Sequence, residues 1–199
     1  MAAFVVGSRT AGVQAATAFT PARHERDEWL DKLPGKHRVI LDAVTATGAS
    51  EAIGFATNIY LANKADYGLE EKDIALIVCL RHFATVFAFT DPIWAKHGKA
   101  LASAVRYTDP RSSEPPVVNP YNSAPRSAYD TLAKRGAHFA ICDMATNRFA
   151  RMLAGPDGDQ AAVYKELRAH AIPNAHFVAA GVVGVTRAQE YGYSVLHVG

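Results

Sequence analysis

The groups in this 199-residue chain best suited to chemistry are a cysteine, a few strand-end polar residues and the histidines. Foremost is Cys142, in the run Gly136-Ala137-His138-Phe139-Ala140-Ile141-Cys142-Asp143-Met144-Ala145-Thr146-Asn147. A short apolar stretch ends on the thiol, and a helical pattern starts directly after it. A helix N-terminus at that point, with Arg or His nearby, would stabilise a thiolate, the nucleophilic form of cysteine. The competing reading is an inert core thiol, because free cysteine is among the most buried residue types. Cys79 lies inside an apolar run, and for it the core reading is preferred.

Arg81 and His82 follow a second apolar run, which predicts that they emerge on the same sheet edge as Cys142. His82 would serve as a general base or as a partner of the thiolate, or else as a helix cap or a donor to a carbonyl. Asp42 closes the first apolar run, where it would orient His82 or a substrate amine, or bond local N–H groups as a turn residue. Asn58, Tyr60 and Asn147 are candidate polar walls of a pocket; each residue type is also common at surfaces and caps. Phe83, Phe87, Phe89 and Trp94 read as core and interface packing. The remaining histidines show no metal-ligand spacing, there is no CxxC, and the glycines form no GxGxxG or P-loop. No cofactor or metal is expected.

The elements that must position these residues alternate. Residues 37–44, 73–80, the short apolar run after Gly136 that ends on Cys142, 176–180 and 193–198 read as strands, the second almost continuously apolar as in a parallel strand covered on both faces. Between them lie helical patterns: residues 51–65 with Ser50 as N-cap and Gly68 as stop, 93–97 started by Thr90, Asp91 and Pro92, and 123–135 capped by Ser123. Further helices are read after Cys142 through Leu153, over 159–171 and over 181–191, and a short one in the aromatic run 81–89. Strand and helix in alternation predict an α/β, three-layer fold with a mostly parallel sheet of about five strands. Residues 20–36 read as a charged surface helix docked through Trp29, Leu30 and Leu33, and broken by Pro34-Gly35.

The domain reading is an N-terminal arm, residues 1–26, and one α/β domain, residues 27–199. The arm resembles the end of an export signal, but Arg9 interrupts it and no basic region comes first. Residues 103–124 form an insert loop with four prolines, read as a lid, a binding loop or an oligomer arm. A net charge of +2 and the lack of Lys/Arg interleaved with aromatics argue against nucleic acid. No stretch is apolar enough to span a bilayer, so a cytoplasmic protein is expected, or a periplasmic one if the N-terminus is the remnant of an export signal.

Laid out in order, the residues resemble the DsrE-like family of small sulfur-metabolism proteins. The resemblance rests on the closing pattern from Phe177 to Tyr193, with Gln189, Gly192 and Tyr193 as "Gln-x-x-Gly-Tyr", and on the cysteine-ended strand before it. A long-insert subgroup of that family, often exported, is closer. It is matched by Gly35-Lys36-His37-Arg38 with Asp42, Asn58 with Tyr60, Leu80-Arg81-His82 with Ala84-Thr85, and Phe87 with Asp91 and Trp94-Ala95-Lys96. The resemblance implies a flavodoxin-like sheet, a homo-oligomer (trimer or hexamer) and, as in some members of the family, a cysteine that carries a persulfide in exchange with a sulfur donor or acceptor protein. Two functions follow as expectations. The first is sulfur carriage on Cys142, with His82 and Arg81 shaping its electrostatics and Asp42, Asn58 and Asn147 lining the substrate site. The second is a non-catalytic oligomeric binding or assembly protein whose arm and proline-rich loop contact partners.

Overall fold

The computed structural model describes residues 20–122 and 128–199. Five strands, β1 (His37–Ala43), β2 (Ile74–Leu80), β3 (His138–Cys142), β4 (Ala175–Val178) and β5 (Ser194–Val198), form one sheet in the order β4-β3-β2-β1-β5. Every neighbouring pair is parallel. The chain steps outward from β1 to β4 and then returns across the sheet to place β5 beside β1. All five C-terminal ends therefore share one edge of the sheet, where open α/β folds bind ligands.

The side-chain period of two sorts each strand between two cores. On one face, Leu41, Leu76, Val78, Leu80, Phe139 and Ile141 meet α2 (Ala46–Tyr67), α3 (Asp91–Ala104), α4 (Tyr129–Lys134), α5 (Asp143–Ala154) and α6 (Gln160–Ala169). On the other, Ile40, Ala75, Ile77, Cys79 and Ala140 meet α7 (Gly181–Glu190) and the short α1 (Trp29–Lys32). The three-layer α/β architecture is thus present, and β2 is buried at every residue because helices cover both of its faces. Each large aliphatic side chain so buried contributes about 1.5–3 kcal/mol.

Several boundaries differ from the sequence reading. α2 starts at Ala46, one turn before Ser50, because extended Thr45 accepts the Gly48 N–H on its side-chain oxygen. Gly48 belongs in that first turn: a Cβ there would lie 2.3 Å from the Val198 carbonyl oxygen, where α2 crosses the end of β5. At the other end Gly68 does take the left-handed C-cap, with φ of 64°. α3 runs past Gly98 to Ala104, since Gly98 admits the Pro116 carbonyl against the helix. α4 begins at Tyr129 after extended Ala128; the expected cap at Ser123 lies outside the described residues. The aromatic run closes into a 3-10 helix, Ala84–Ala88.

The insert loop is anchored to the body. Buried Asn119 donates from its amide to the Phe87 and Phe89 carbonyls at 2.7 and 2.8 Å, and its backbone N–H donates to Asp91. Tyr107 and Tyr121 pack their rings on Phe87. Of the expected N-terminal arm, residues 1–19 lie outside the described residues. In the remainder Arg23 lies over the Tyr191 ring at 3.8 Å, and just beyond the arm Trp29 stacks on His176 at 3.9 Å. The expected 20–36 helix is a 3-10 turn, Glu25–Asp27, followed by four-residue α1. Among the described residues no helix is long and apolar enough to cross a membrane.

Candidate functional site

A crevice of about 570 Å³ opens at the C-terminal ends of β2, β3 and β4. Cys142 lines it as the last residue of β3 and the N-cap of α5, 7% exposed. The opposite wall is the start of α7, where Gly181 packs directly on Arg81. A Cβ at Gly181 would fall 2.3 Å from Arg81 Cβ, so only glycine lets the two walls approach this closely. Asn147, Arg148 and Arg151 line the α5 side, and Met144 and Val182 form an apolar rim, 68% and 56% exposed.

Of the residues singled out in the sequence, Cys142, Arg81, His82 and Asn147 come together here. Asp42 does not line the crevice; it stands behind Arg81. Arg81 grips it with Nε to Oδ1 at 2.6 Å and Nη2 to Oδ2 at 2.9 Å. Burial pushes the Asp42 carboxyl up, but the hydrogen bonds and charges of Arg81 and His197 outweigh it and hold the group below its ordinary value. Asp42 therefore orients Arg81, not His82 and not a substrate amine. Asn58 does not reach the site either. It lies exposed along α2, on the far side of the sheet from α7. Tyr60 is core, with Arg135 over its ring at 4.6 Å.

His82 takes a left-handed backbone, φ 55°, uncommon for a residue with a side chain and a form of strain that clusters at functional sites. Its carbonyl accepts from Arg148 at 3.4 Å. Burial, then the charges of Arg148 and Arg81, lower its pKa below the ordinary histidine value. At neutral pH His82 is thus an uncharged imidazole that can accept a proton, and the positive charge of the crevice comes from arginine. Cys79 is fully buried on β2, its thiol 3.8 Å from the Gly181 carbonyl. Burial, with the charges of Asp42 and Cys142, raises its pKa far up, which makes it an inert thiol.

The sequence reading missed Arg148, Arg151, the Gly181 turn and His197. The two arginines fall with Met144 on one exposed stripe of α5, at spacings of four and three residues. The helical pattern read directly after Cys142 already implies that stripe. His197 was not visible: its Nδ1 reaches Asp42 Oδ2 at 3.2 Å only because β5 pairs with β1 in the register Asp42↔His197. Asp143, the one carboxylate on the lining, is held by Arg168 and Tyr164, each at 2.8 Å. Among the described residues no cluster of three or more His, Cys, Asp or Glu could hold a metal ion. No described residue of the insert loop lines this crevice.

No protein-family model matches the chain, and no curated protein matches it in sequence. The chemical reading therefore stands on the crevice itself: one free thiol at a helix start, a neutral imidazole, and arginine on two sides.

Proposed function

We propose that the chain is a DsrE-like sulfur-handling protein in which Cys142 accepts a sulfane sulfur and passes it on as a persulfide. The observation that carries this reading is the position of Cys142, a free thiol at the start of α5 opening into the arginine-lined crevice. In the transfer, the Cys142 thiolate attacks the outer sulfur of a donor persulfide. A new S–S bond forms at Cys142 as the donor's S–S bond breaks, and the donor thiolate leaves with that electron pair. A second thiol takes the sulfur from Cys142 by the same step. His82 receives the Cys142 proton, and no outside oxidant is consumed. The cytoplasm suits a thiol that must stay unpaired, with the periplasm as the alternative compartment.

Intact-mass spectrometry of freshly purified protein, before and after mild reduction, tests the reading beside Cys142→Ser. A reversible gain of one sulfur atom that disappears in the variant supports it. A Cys142 that stays unmodified after exposure to a persulfide donor, and that resists alkylation at neutral pH, refutes it.

A second reading, an oligomeric binding or assembly protein, is favoured by β5. Among the described residues this edge strand pairs only with β1, and its Val195 and Leu196 are 37% and 43% exposed on opposite faces. Unpaired N–H and C=O groups flanked by apolar side chains invite a second copy of the chain. The two readings are compatible, since β5 and the crevice occupy different parts of the sheet.

A further inference from the structure

Among the described residues, three arginines line the crevice and one of them, Arg81, has a carboxylate partner, Asp42. Arg148 donates to the His82 carbonyl and lies over the Phe149 ring at 4.7 Å, and Arg151 donates to Gln160 at 3.3 Å. Neither has a carboxylate partner among the described residues, and Asp143 is taken by Arg168. Free positive charge in a concave, partly apolar site concentrates anions.

The floor of the crevice has the same polarity. α5 and α7 both begin there, and both leave their first-turn N–H groups uncapped by side chains: Cys142 and Ala180 stand at the N-caps, a thiol and a methyl group. Uncapped starts are not confined to the crevice, since α3 and α4 also lack a side-chain cap, whereas α2 and α6 are capped by Thr45 and Asp159. The guanidinium pair is independent of these termini, three residues apart on one exposed stripe of α5, and suited to the fork geometry that binds oxyanions. The volume is that of a small-molecule site.

We propose that this crevice binds the tetrahedral oxyanion group, sulfonate or phosphate, of a small-molecule ligand, held by Arg148 and Arg151 against the first turns of α5 and α7. The ligand's remaining part lies along the Met144 and Val182 rim, with Cys142 beside the anion. This proposal does not depend on sulfur carriage, because a site for the anion would persist without the thiol.

The test is titration of the full chain with sulfate and with phosphate at constant ionic strength, followed through the backbone amide resonances of Met144, Ala145, Val182 and Val183. Saturable shifts are expected in the native protein and in Cys142→Ser alike. The double variant Arg148→Gln/Arg151→Gln, at two exposed positions, should weaken binding by about tenfold or more, the scale of losing charge-assisted hydrogen bonds. Tighter binding of phosphate points to phosphate-bearing ligands, and tighter or equal binding of sulfate to sulfonate-bearing ones. In parallel, the ratio of alkylation rates of Cys142 by anionic iodoacetate and neutral iodoacetamide should fall in the double variant. Shifts no larger than chloride produces, or a double variant that binds like the native chain, would overturn the proposal. Binding in Cys142→Ser together with no persulfide on the native chain would refute the carrier reading alone.

Discussion

Arg81 and Asp42 form a two-point ion pair across neighbouring strands, with both carboxylate oxygens engaged and His197 closing on the same carboxylate from the other side. The register sets this arrangement. Asp42 pairs with Cys79 on β2 and with His197 on β5, and Arg81 lies two residues beyond Cys79 on the same face. The guanidinium that borders Cys142 is thereby held from behind by a carboxylate that is itself nearly buried.

Asp42→Asn should destabilise the protein by about 2 kcal/mol, less than the loss of a fully buried pair because Arg81 is partly exposed. In a double-mutant cycle with Arg81→Gln, measured by urea unfolding, the coupling between the two positions should exceed about 1 kcal/mol. Additive losses would mean that the pair contributes no specific interaction.

Stability should fall in mild acid through the His138–His176 pair. The two rings share a 2.9 Å hydrogen bond at the start of β3 and β4, beneath Trp29. Burial, with a smaller effect of the His138 charge, pushes His176 down to about 4, and burial lowers His138 as well. A histidine whose folded pKa is depressed binds its proton more readily unfolded. Its stabilisation is therefore complete above the ordinary value near 6.5 and is lost as pH falls towards 4. Partial exposure and the π face of Trp29, which favours an imidazolium, reduce the effect to about 2 kcal/mol. His176→Gln keeps a hydrogen-bonding group without a titrating one, so denaturation curves at pH 7 and pH 4.5 should differ less for this variant than for the native chain.

Leu196→Lys places a charge on the exposed edge of β5. In sedimentation equilibrium, an assembly built through that edge should dissociate, with at least about a tenfold weaker association. An unchanged mass would remove β5 from the interface.

Much of the architecture was legible locally. The unbroken apolar run of β2 announced a strand covered on both faces, the glycine at position 68 announced a helix end, and strand–helix alternation announced a parallel sheet. Helix starts were less legible, because Thr45 and Ser50 are chemically equivalent caps and only the crossing of α2 over Val198 decides between them. How the proline-rich insert attaches to the body was not legible. Its anchor, Asn119, bonds carbonyls about thirty residues away, a partnership with no local signature.

For the site, the sequence by itself determined that Cys142 ends a buried strand and starts a helix, because both patterns are short-range. It also put Arg81 and His82 on the same sheet edge. The tertiary structure decided the rest. Strand register turned Asp42 towards Arg81 and His197, the packing of α7 through Gly181 made a crevice instead of a flat edge, and the pitch of α5 brought Arg148 and Arg151 to its side. Such relations arise from pairings between residues far apart in the chain, where periodicity carries no information and only the assembled sheet selects the partners.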